Sequence, residues 1–307
     1  GWREFARITE YRGFVCRPLA VNALNKEHTE EIILNADGAW TVEHLPAWCT
    51  LSQTSGTYKT ALKLTLKELP AGQANRTDSI VFKLSDGDYR TRCNVSQYNY
   101  QYAEDEIVTL QQAARGTGID ILFMGDAFDA AAIADGNYMN LVTEQYRHFF
   151  DIEPYRSYKE YFNVYAAIAL SQETSINTLN TYSNTKFNTV YGGCDAKLLP
   201  DAELVTAYAL NSGVIQKERL SQSLLVVVPN STEYGGSTYY YDDGTTISVC
   251  SPSESSYPND TRGIVQHEAG GHGFGKLGDE RIIYNRFIPD GLKEKISEAQ
   301  RKGWYQN

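Results

Sequence analysis

The sequence predicts an all-β sandwich over residues 1–103, followed by an α/β (α+β) domain over residues 104–307. Two patterns of apolar residues distinguish these regions. In the first region apolar and polar residues alternate, as in strands that have one face toward solvent. In the second region the apolar runs are continuous and are separated by helical stretches, as expected for an α/β sheet buried on both faces. A chain of 307 residues is long enough for two domains with separate cores.

Short strands separated by turn signals predict the sandwich. The segment that begins at Thr60 places Leu62, Leu64 and Leu66 on one face, and a second apolar segment begins at Ser79. Dipeptides that favour tight reversals lie between such segments. These dipeptides are Asp37-Gly38, Ser55-Gly56, Ala71-Gly72 and Asp86-Gly87.

Three apolar runs predict buried strands in the second region: IDILFM from Ile119, FNVYAAIAL from Phe162 and LLVVV from Leu224. An amphipathic helix is predicted between the first two runs by an apolar stripe of Tyr138, Val142, Tyr146 and Phe149. Pro200-Asp201 opens a further helix, because proline suits the first helical position. The second region therefore alternates strand and helix.

Charge and composition exclude several classes of protein. A net charge of −10 would repel a phosphate backbone, so no nucleic-acid partner is expected. No apolar run approaches the ~20 residues that span a bilayer, so no transmembrane segment is expected. The cysteines form no CxxC pair, which favours buried free thiols over a redox or metal site; they are Cys16, Cys49, Cys93, Cys194 and Cys250.

Two of the five histidines flank a glutamate in the segment QHEAGGHGFGKLGDE. In the zinc-peptidase pattern HExxH, two histidines one helical turn apart bind the metal, and the glutamate activates a zinc-bound water. His267, Glu268 and His272 fit this pattern with one additional residue. The pattern predicts His267 and His272 as zinc ligands and Glu268 as the general base.

The additional residue changes the helix that such a site requires. On a regular α-helix, His267 and His272 would lie about 140° apart around the axis and could not share one ion. A single-residue π-bulge restores the phase, and Gly270 and Gly271 permit the backbone angles and the close approach that a bulge requires. The alternative is a helix that glycine weakens and whose histidines lie on the protein surface.

The segments before the histidines predict a hairpin and the start of the helix. STEYGGSTYYYDDGTTISVC is typical of a glycine-bent hairpin, either a plain edge hairpin or a place where an extended substrate adds as a further strand. Asn259, Asp260 or Thr261 supplies the N-cap of the helix that follows. Ile264 and Val265 are expected to face the core.

A catalytic zinc site normally has three protein ligands and a water, so a third ligand is expected. Asp279 and Glu280 follow a chain reversal at Gly275 or Gly278, and either carboxylate could return to the metal. Asp279 is favoured, and Glu280 is the alternative. Zinc makes its water more acidic and polarises the scissile carbonyl, while Glu268 takes the water proton and delivers it to the leaving amine.

Three segments, IDILFMGDAF, IEPYRSYKEYFNVYAA with the following SQET, and QHEAGGHGFGKLGDE, span nearly all of residues 112–307. Together they resemble the bacterial IgA-specific metalloendopeptidase family of metzincin-like zinc peptidases. The resemblance implies a zincin-like fold, a Zn²⁺ cofactor and hydrolysis of extracellular protein or glycoprotein substrates. By position it makes His267 and His272 ligands of the zinc. It also makes Glu268 the base and Asp279 the third ligand.

Two features depart from the family pattern. Arg281 follows Asp-Glu where the family usually has tyrosine. Metzincin-like sites continue to a methionine-containing turn, whereas Met124 and Met139 both precede the histidines. We therefore expect the peptidase domain to be truncated at its C-terminus, with part of the substrate cleft missing.

Several short segments of the first region are similar to the BACON module of bacterial surface proteins: Gly38-Ala39-Trp40, Pro46-Ala47-Trp48, Ser55-Gly56, Asn75-Arg76 and Val95-Ser96-Gln97. The resemblance covers residues 30–100 and implies export, to the periplasm, to the cell surface or as a secreted protein. Trp40 and Trp48 could contact a surface glycan, although packing in a sandwich core is favoured. We expect this domain to act as a spacer.

Two other functions stay open at this stage. One is a carbohydrate- or mucin-binding surface protein whose peptidase domain is inactive, which zinc analysis would distinguish. The other is an exopeptidase of the HExxGH type, as in dipeptidyl peptidases of the third type, which take their third ligand from a distant glutamate. The substrate cannot be named, because neither a fold nor a motif determines the side-chain pockets.

Overall fold

The structure is a computed structural model that describes residues 13–192, 197–232 and 234–278. Contacts between residues divide the chain into two compact units, Gly1–Lys276 and Leu277–Asn307. Within the first unit, a β-rich region precedes a mixed α/β region. None of the described helices is long and apolar enough to cross a membrane.

The strands of the β-rich region are β1 (Val15–Arg17), β2 (Ala20–Ala23), β3 (His28–Asn35), β4 (Ala39–His44), β5 (Cys49–Leu51), β6 (Ser55–Thr57), β7 (Thr60–Leu66), β8 (Arg76–Leu84) and β9 (Arg90–Gln97). They form one sheet of order β1-β3-β7-β5 and a second of order β2-β9-β8-β4-β6. The two sheets share one core, in which Ile32, Leu64 and Phe82 are fully buried. The alternation that predicts β7 is confirmed, because its leucines are buried while Ala61 and Lys63 are exposed.

The two tryptophans of this region differ in exposure. Trp40 is 1% exposed and packs edge-on against Phe82, with ring centroids 5.9 Å apart. Gly56 lies against the Trp40 ring, since a Cβ there would come within 2.8 Å of it. The predicted turn at Gly56 is therefore wrong: the residue belongs to β6, where its missing side chain makes room for the indole. Trp48 is half-buried, and the Arg76 guanidinium covers its ring at 4.5 Å.

The α/β region contains strands and helices that alternate along much of its length. They are β10 (Ile107–Gln111), β11 (Ile119–Asp126), α1 (Ala130–Ala134), α2 (Asn137–Phe149), β12 (Phe162–Ala167), β13 (Asn177–Thr178), β14 (Val190–Tyr191), β15 (Leu198–Leu199), α3 (Ala202–Asn211), β16 (Leu224–Pro229), β17 (Gly236–Tyr240), β18 (Thr246–Cys250) and α4 (Thr261–Ile264). α4 continues directly into a π-helical segment, Val265–Phe274. We call α4 and this segment, residues 261–274, the site helix.

A six-stranded sheet has the order β10-β12-β11-β16-β18-β17. Its four central strands are parallel, whereas β10 and β17 pair antiparallel with their neighbours. The strands β13, β14 and β15 form a separate small sheet. The predicted double-sided burial of β11, β12 and β16 is confirmed, because nearly every residue in them is buried.

Helices cover both faces of the six-stranded sheet. Ile121 and Phe123 share a core with α1, α2 and the site helix, whereas Leu122 and Met124 share a second core with α3. The stripe predicted on α2 lies in the first core, where Tyr138 is fully buried. The site helix therefore packs on one face of the sheet, against side chains of the central strands.

The helix predicted at Pro200-Asp201 begins at Ala202, two residues later than proline at the first helical position would require. Asp201 is the N-cap, and its carboxylate accepts the N–H groups of Glu203 and Leu204 at 3.0 and 3.2 Å. An aspartate that caps the first turn leaves the preceding proline outside the helix.

Asp126 ends β11 and is fully buried. Its carboxylate accepts the backbone N–H groups of Phe187 and Thr189 at 3.0 and 2.9 Å. The hydroxyls of Ser171 and Thr185 donate to it at 3.4 and 3.3 Å. A buried carboxylate is tolerated when donors surround it, so this residue fastens the segment after β12 to the end of the sheet.

Candidate active site

The site helix begins where the sequence predicts. Asp260 is the N-cap, and its side chain accepts the N–H of Gly263 at 2.8 Å. A Cβ at Gly263 would overlap the carbonyl oxygen of Pro258, so only glycine allows this approach. Ile264 and Val265 are 5% and 0% exposed, which confirms that they face the core.

A π-helical segment of ten residues accommodates the additional residue between the histidines. In a π-helix the N–H groups bond to carbonyls five positions earlier, as the N–H of Gly275 does to the carbonyl of Gly270 at 2.9 Å. Residues five apart therefore stack along one side of the helix. The predicted departure from the α-helical ladder is confirmed, but it extends over the whole segment and is not a single bulge.

The two histidines of the site helix converge. The Nε2 atoms of His267 and His272 lie 3.1 Å apart, and the ring planes are inclined by 83°. Two nitrogen ligands at 2.0–2.1 Å from a tetrahedral zinc ion would lie ~3.3 Å apart, so the pair fits a shared ion. His267 is exposed, whereas His272 is 8% exposed. The pair therefore lies at the protein surface, with His267 toward solvent and His272 against the protein.

No third metal-binding side chain joins this pair within residues 13–192, 197–232 and 234–278. The predicted third ligand, Asp279, and its alternative, Glu280, lie outside the described residues. The remaining histidines lie beside carboxylates: His28 near Glu104 at 3.0 Å, His44 near Asp78 at 3.1 Å and His148 near Glu144 at 3.4 Å.

Glycines near the histidines allow close packing. Neither Gly270 nor Gly271 has a positive φ, so the predicted need for unusual backbone angles is wrong. A Cβ at Gly270 would lie 3.2 Å from the Tyr155 ring, and a Cβ at Gly273 would overlap Ser248 Oγ. The helix can rest directly on the sheet and on this tyrosine because these side chains are missing.

We expect Gly273→Ala to destabilise the protein by about 1–3 kcal/mol, because it overpacks the contact with the sheet. Its Cβ would lie 2.7 Å from Leu224 Cδ1. Gly271→Ala is the matched control: its Cβ would meet only the Gln266 carbonyl at 3.7 Å. That variant should be neutral or more stable by up to ~1 kcal/mol, since alanine favours helices. Urea unfolding of both variants tests the difference, and equal effects would contradict the packing argument.

Hydroxyl groups from neighbouring elements donate to carbonyls of the π-helical segment. Burial raises the pKa of Tyr155 and Tyr240, with a smaller contribution from Glu268 at Tyr240, so both phenols stay protonated and able to donate. The bonds are Tyr155 to Gly270 at 2.5 Å, Tyr240 to His272 at 2.9 Å, Thr246 to Gly273 at 3.1 Å and Ser248 to Glu268 at 3.1 Å. Thr238 Oγ1 also lies 2.9 Å from the Glu268 carbonyl oxygen. These donors were not identified from the sequence, although hydroxyl side chains occur at alternate positions along the hairpin.

Glu268 lies against the hairpin and is 9% exposed. The Thr238 hydroxyl donates to its Oε2 at 2.9 Å. A Cβ at Gly236 would come within 2.7 Å of Glu268 Cγ, so the backbone of β17 packs directly on this side chain. Burial, followed by the charge of Glu268, raises the pKa of Cys250 well above its usual value. The Cys250 thiol is therefore neutral and unsuited to act as a nucleophile.

The family model described as IgA Peptidase M64 matches residues 108–298, which is more than half of the chain. No curated protein sequence matches. A xyloglucanase of glycoside hydrolase family 5 from Bacteroides ovatus is 14% identical, with a TM-score of 0.26 over 69% of this chain and 44% of that chain. This chain thus spans less than half of that enzyme.

Two further solved structures show equally low similarity. A family 123 glycoside hydrolase from Clostridium perfringens is 9% identical, with a TM-score of 0.22 over 93% of this chain and 52% of that chain. A protein of unknown function from Porphyromonas gingivalis is 10% identical, with a TM-score of 0.21 over 36% of this chain and 55% of that chain. These scores are too low to support an assignment of fold or function.

Proposed function

Because this chain belongs to the IgA Peptidase M64 family, we propose that it is a zinc-dependent endopeptidase in which Glu268 is the general base. The observation that carries the proposal is the 3.1 Å approach of the His267 and His272 Nε2 atoms, on the same helix as the buried Glu268. These histidines would hold the ion together with Asp279, for which Glu280 is the alternative. The family match covers all five of these positions.

The charge of a bound zinc ion makes water more acidic and polarises the scissile carbonyl. Glu268 takes the proton of the attacking water and delivers it to the leaving amine. Its carboxylate is largely removed from solvent and is held by Thr238, which favours a single orientation of the base. A covalent intermediate is not required, and the neutral Cys250 thiol is consistent with direct attack by water.

The proposed substrate-binding strand is β17, which lies at the edge of the six-stranded sheet. Among the described strands, β17 is terminal in the sheet, and Gly236 packs against Glu268. An extended peptide can add to such an edge through backbone hydrogen bonds, while alternate side chains enter pockets. A peptide bound there would run past the proposed base. The substrate class that we propose is extracellular protein or glycoprotein.

The proposal extends to the organisation and location of the protein. Residues 104–307 form a zincin-like peptidase domain, and residues 1–103 form a sandwich that acts as a spacer. The buried Trp40 and the Arg76 guanidinium over Trp48 favour a spacer over a sugar-binding face. We place the protein outside the cytoplasm, in the periplasm, on the cell surface or in the medium.

Metal removal tests this function. Full-length protein treated with a zinc chelator should hydrolyse casein at least ~100-fold more slowly, and stoichiometric Zn²⁺ should restore the rate, because the ion stabilises the transition-state charge. Mass spectrometry of the products should show cleavage inside the casein chains. Release of dipeptides from chain ends would indicate an exopeptidase instead. Full activity in protein shown to be zinc-free would overturn the proposal.

A further inference from the structure

We propose that Thr238 is the positioning residue for the Glu268 carboxylate, an inference that rests on the proposed role of Glu268 as the base. Thr238 lies in the middle of β17 and faces the site helix. Its Oγ1 lies 2.9 Å from Glu268 Oε2 and 2.9 Å from the Glu268 carbonyl oxygen. One hydroxyl therefore contacts both the side chain and the backbone of the same residue.

Because Thr238 has a single hydroxyl hydrogen, we assign that hydrogen to the Glu268 carboxylate. A threonine hydroxyl has one hydrogen to donate, although two oxygens of Glu268 lie within reach. Ser248 Oγ also reaches the Glu268 carbonyl, at 3.1 Å, and lies 3.0 Å from Thr238 Oγ1. When Ser248 donates to that carbonyl, the Thr238 hydrogen remains for Oε2. Each of the two Glu268 oxygens then receives one hydrogen.

Gly273 makes room for the Ser248 hydroxyl beneath the helix. Ser248 is fully buried beneath the helix and reaches Glu268 where Gly273 has no side chain. Without Ser248, the backbone carbonyl and the carboxylate would compete for a single hydrogen. The two hydroxyls thus act together: Ser248 donates to the Glu268 carbonyl, and Thr238 donates to the Glu268 carboxylate.

Gly236 limits the carboxylate from the other direction. A Cβ at this residue would lie 2.7 Å from Glu268 Cγ and 3.0 Å from Oε1. Gly236 and Thr238 are two positions apart on β17 and so present to the same face of the strand. Glu268 is held between a glycine backbone and a hydroxyl of one strand. The strand proposed to bind the substrate therefore also orients the base.

Removal of the hydroxyl tests the proposal. Thr238→Val keeps the shape of the side chain, and its kcat should fall by ~10- to 100-fold, as expected for a misplaced catalytic group. KM should stay within ~3-fold, because substrate binding in the ground state does not use this bond. Thr238→Ser keeps the hydroxyl and should retain kcat within ~3-fold. Thr238→Ala should behave as the valine variant does, so the result does not depend on how valine packs.

Thr246→Val is the matched control. The Thr246 hydroxyl also donates to the site helix, to the Gly273 carbonyl at 3.1 Å, but it does not contact the Glu268 carboxylate. This variant should unfold at a lower temperature and retain its kcat. A loss of kcat equal to that of Thr238→Val would show that any missing hydroxyl disturbs the helix, and it would overturn the specific role of Thr238.

A crystal structure of the zinc-free Thr238→Val protein supplies a readout that is independent of activity. The Glu268 carboxylate should leave the position beside residue 238 in this variant and keep it in Thr238→Ser. An unchanged carboxylate, or equal kcat in the valine and serine variants, would overturn the inference. These results are separable from failure of the proposed function, which would appear as full activity in Glu268→Gln.

Discussion

Glu268→Gln is expected to keep its fold and its zinc but to lose endopeptidase activity by ~10³- to 10⁴-fold, the upper part of the range for general-base catalysis. Glutamine has nearly the same size and can still accept the Thr238 hydroxyl, so the contacts of the buried side chain are preserved. It cannot take a proton from water. The loss should therefore fall on kcat, with little change in KM.

The matched control for this prediction is Glu254→Gln, since Glu254 is exposed and lies before the site helix. Zinc content, urea unfolding and hydrolysis of casein are compared for the two variants and the unmodified protein. A purely structural Glu268 predicts altered stability with activity changed by less than ~10-fold, because general-base catalysis is then absent. Cleavage at a near-normal rate by zinc-loaded Glu268→Gln would remove Glu268 as the base.

The parts of the fold that have a strong local pattern could be predicted from the sequence. Leu62, Leu64 and Leu66 alternate along β7, and the continuous run at Leu224 becomes the fully buried β16. Such patterns report burial on one face or on both, which is a local property. The small sheet of β13, β14 and β15 could not be predicted, because strands of two residues have no periodicity.

The candidate site was predictable where the relevant residues are close in sequence. The convergence of His267 and His272 follows from their spacing on a helix that is wider than an α-helix. The extent of the π-helical segment does not follow from the spacing, and carbonyls of this segment bond to hydroxyl donors from distant positions such as Tyr155. Asp279 lies outside the described residues and stays a prediction.

The hydroxyl donors to the helix illustrate why long-range contacts escape sequence reasoning. Thr238 and Glu268 are 30 positions apart, and only the pairing of β17 with β18 and the packing of the helix on that hairpin bring them together. The hairpin itself was predictable. Which of its side chains face the helix depends on register, and a shift of one residue would turn Thr238 to the other face.

His272→Ala and His267→Ala are expected to abolish stoichiometric zinc binding. The imidazole Nε2 atoms are 3.1 Å apart, so each variant leaves one nitrogen where the proposed site needs two. Residues that only orient metal ligands already change affinity by ~10- to 100-fold, and loss of a ligand should exceed ~100-fold. Zinc per chain is measured by elemental analysis after dialysis against a weak competing chelator.

His44→Ala is the matched control for these two variants. His44 lies on β4 with its side chain 51% exposed, and it pairs with Asp78 at 3.1 Å. Its removal should leave zinc binding unchanged, because it deletes a histidine remote in sequence from the predicted ligands. Circular dichroism of each variant in excess chelator, compared with the zinc-free parent, separates loss of a ligand from loss of fold. If the His267 and His272 variants are both folded and both retain full zinc, the ion is held elsewhere and this ligand assignment is wrong.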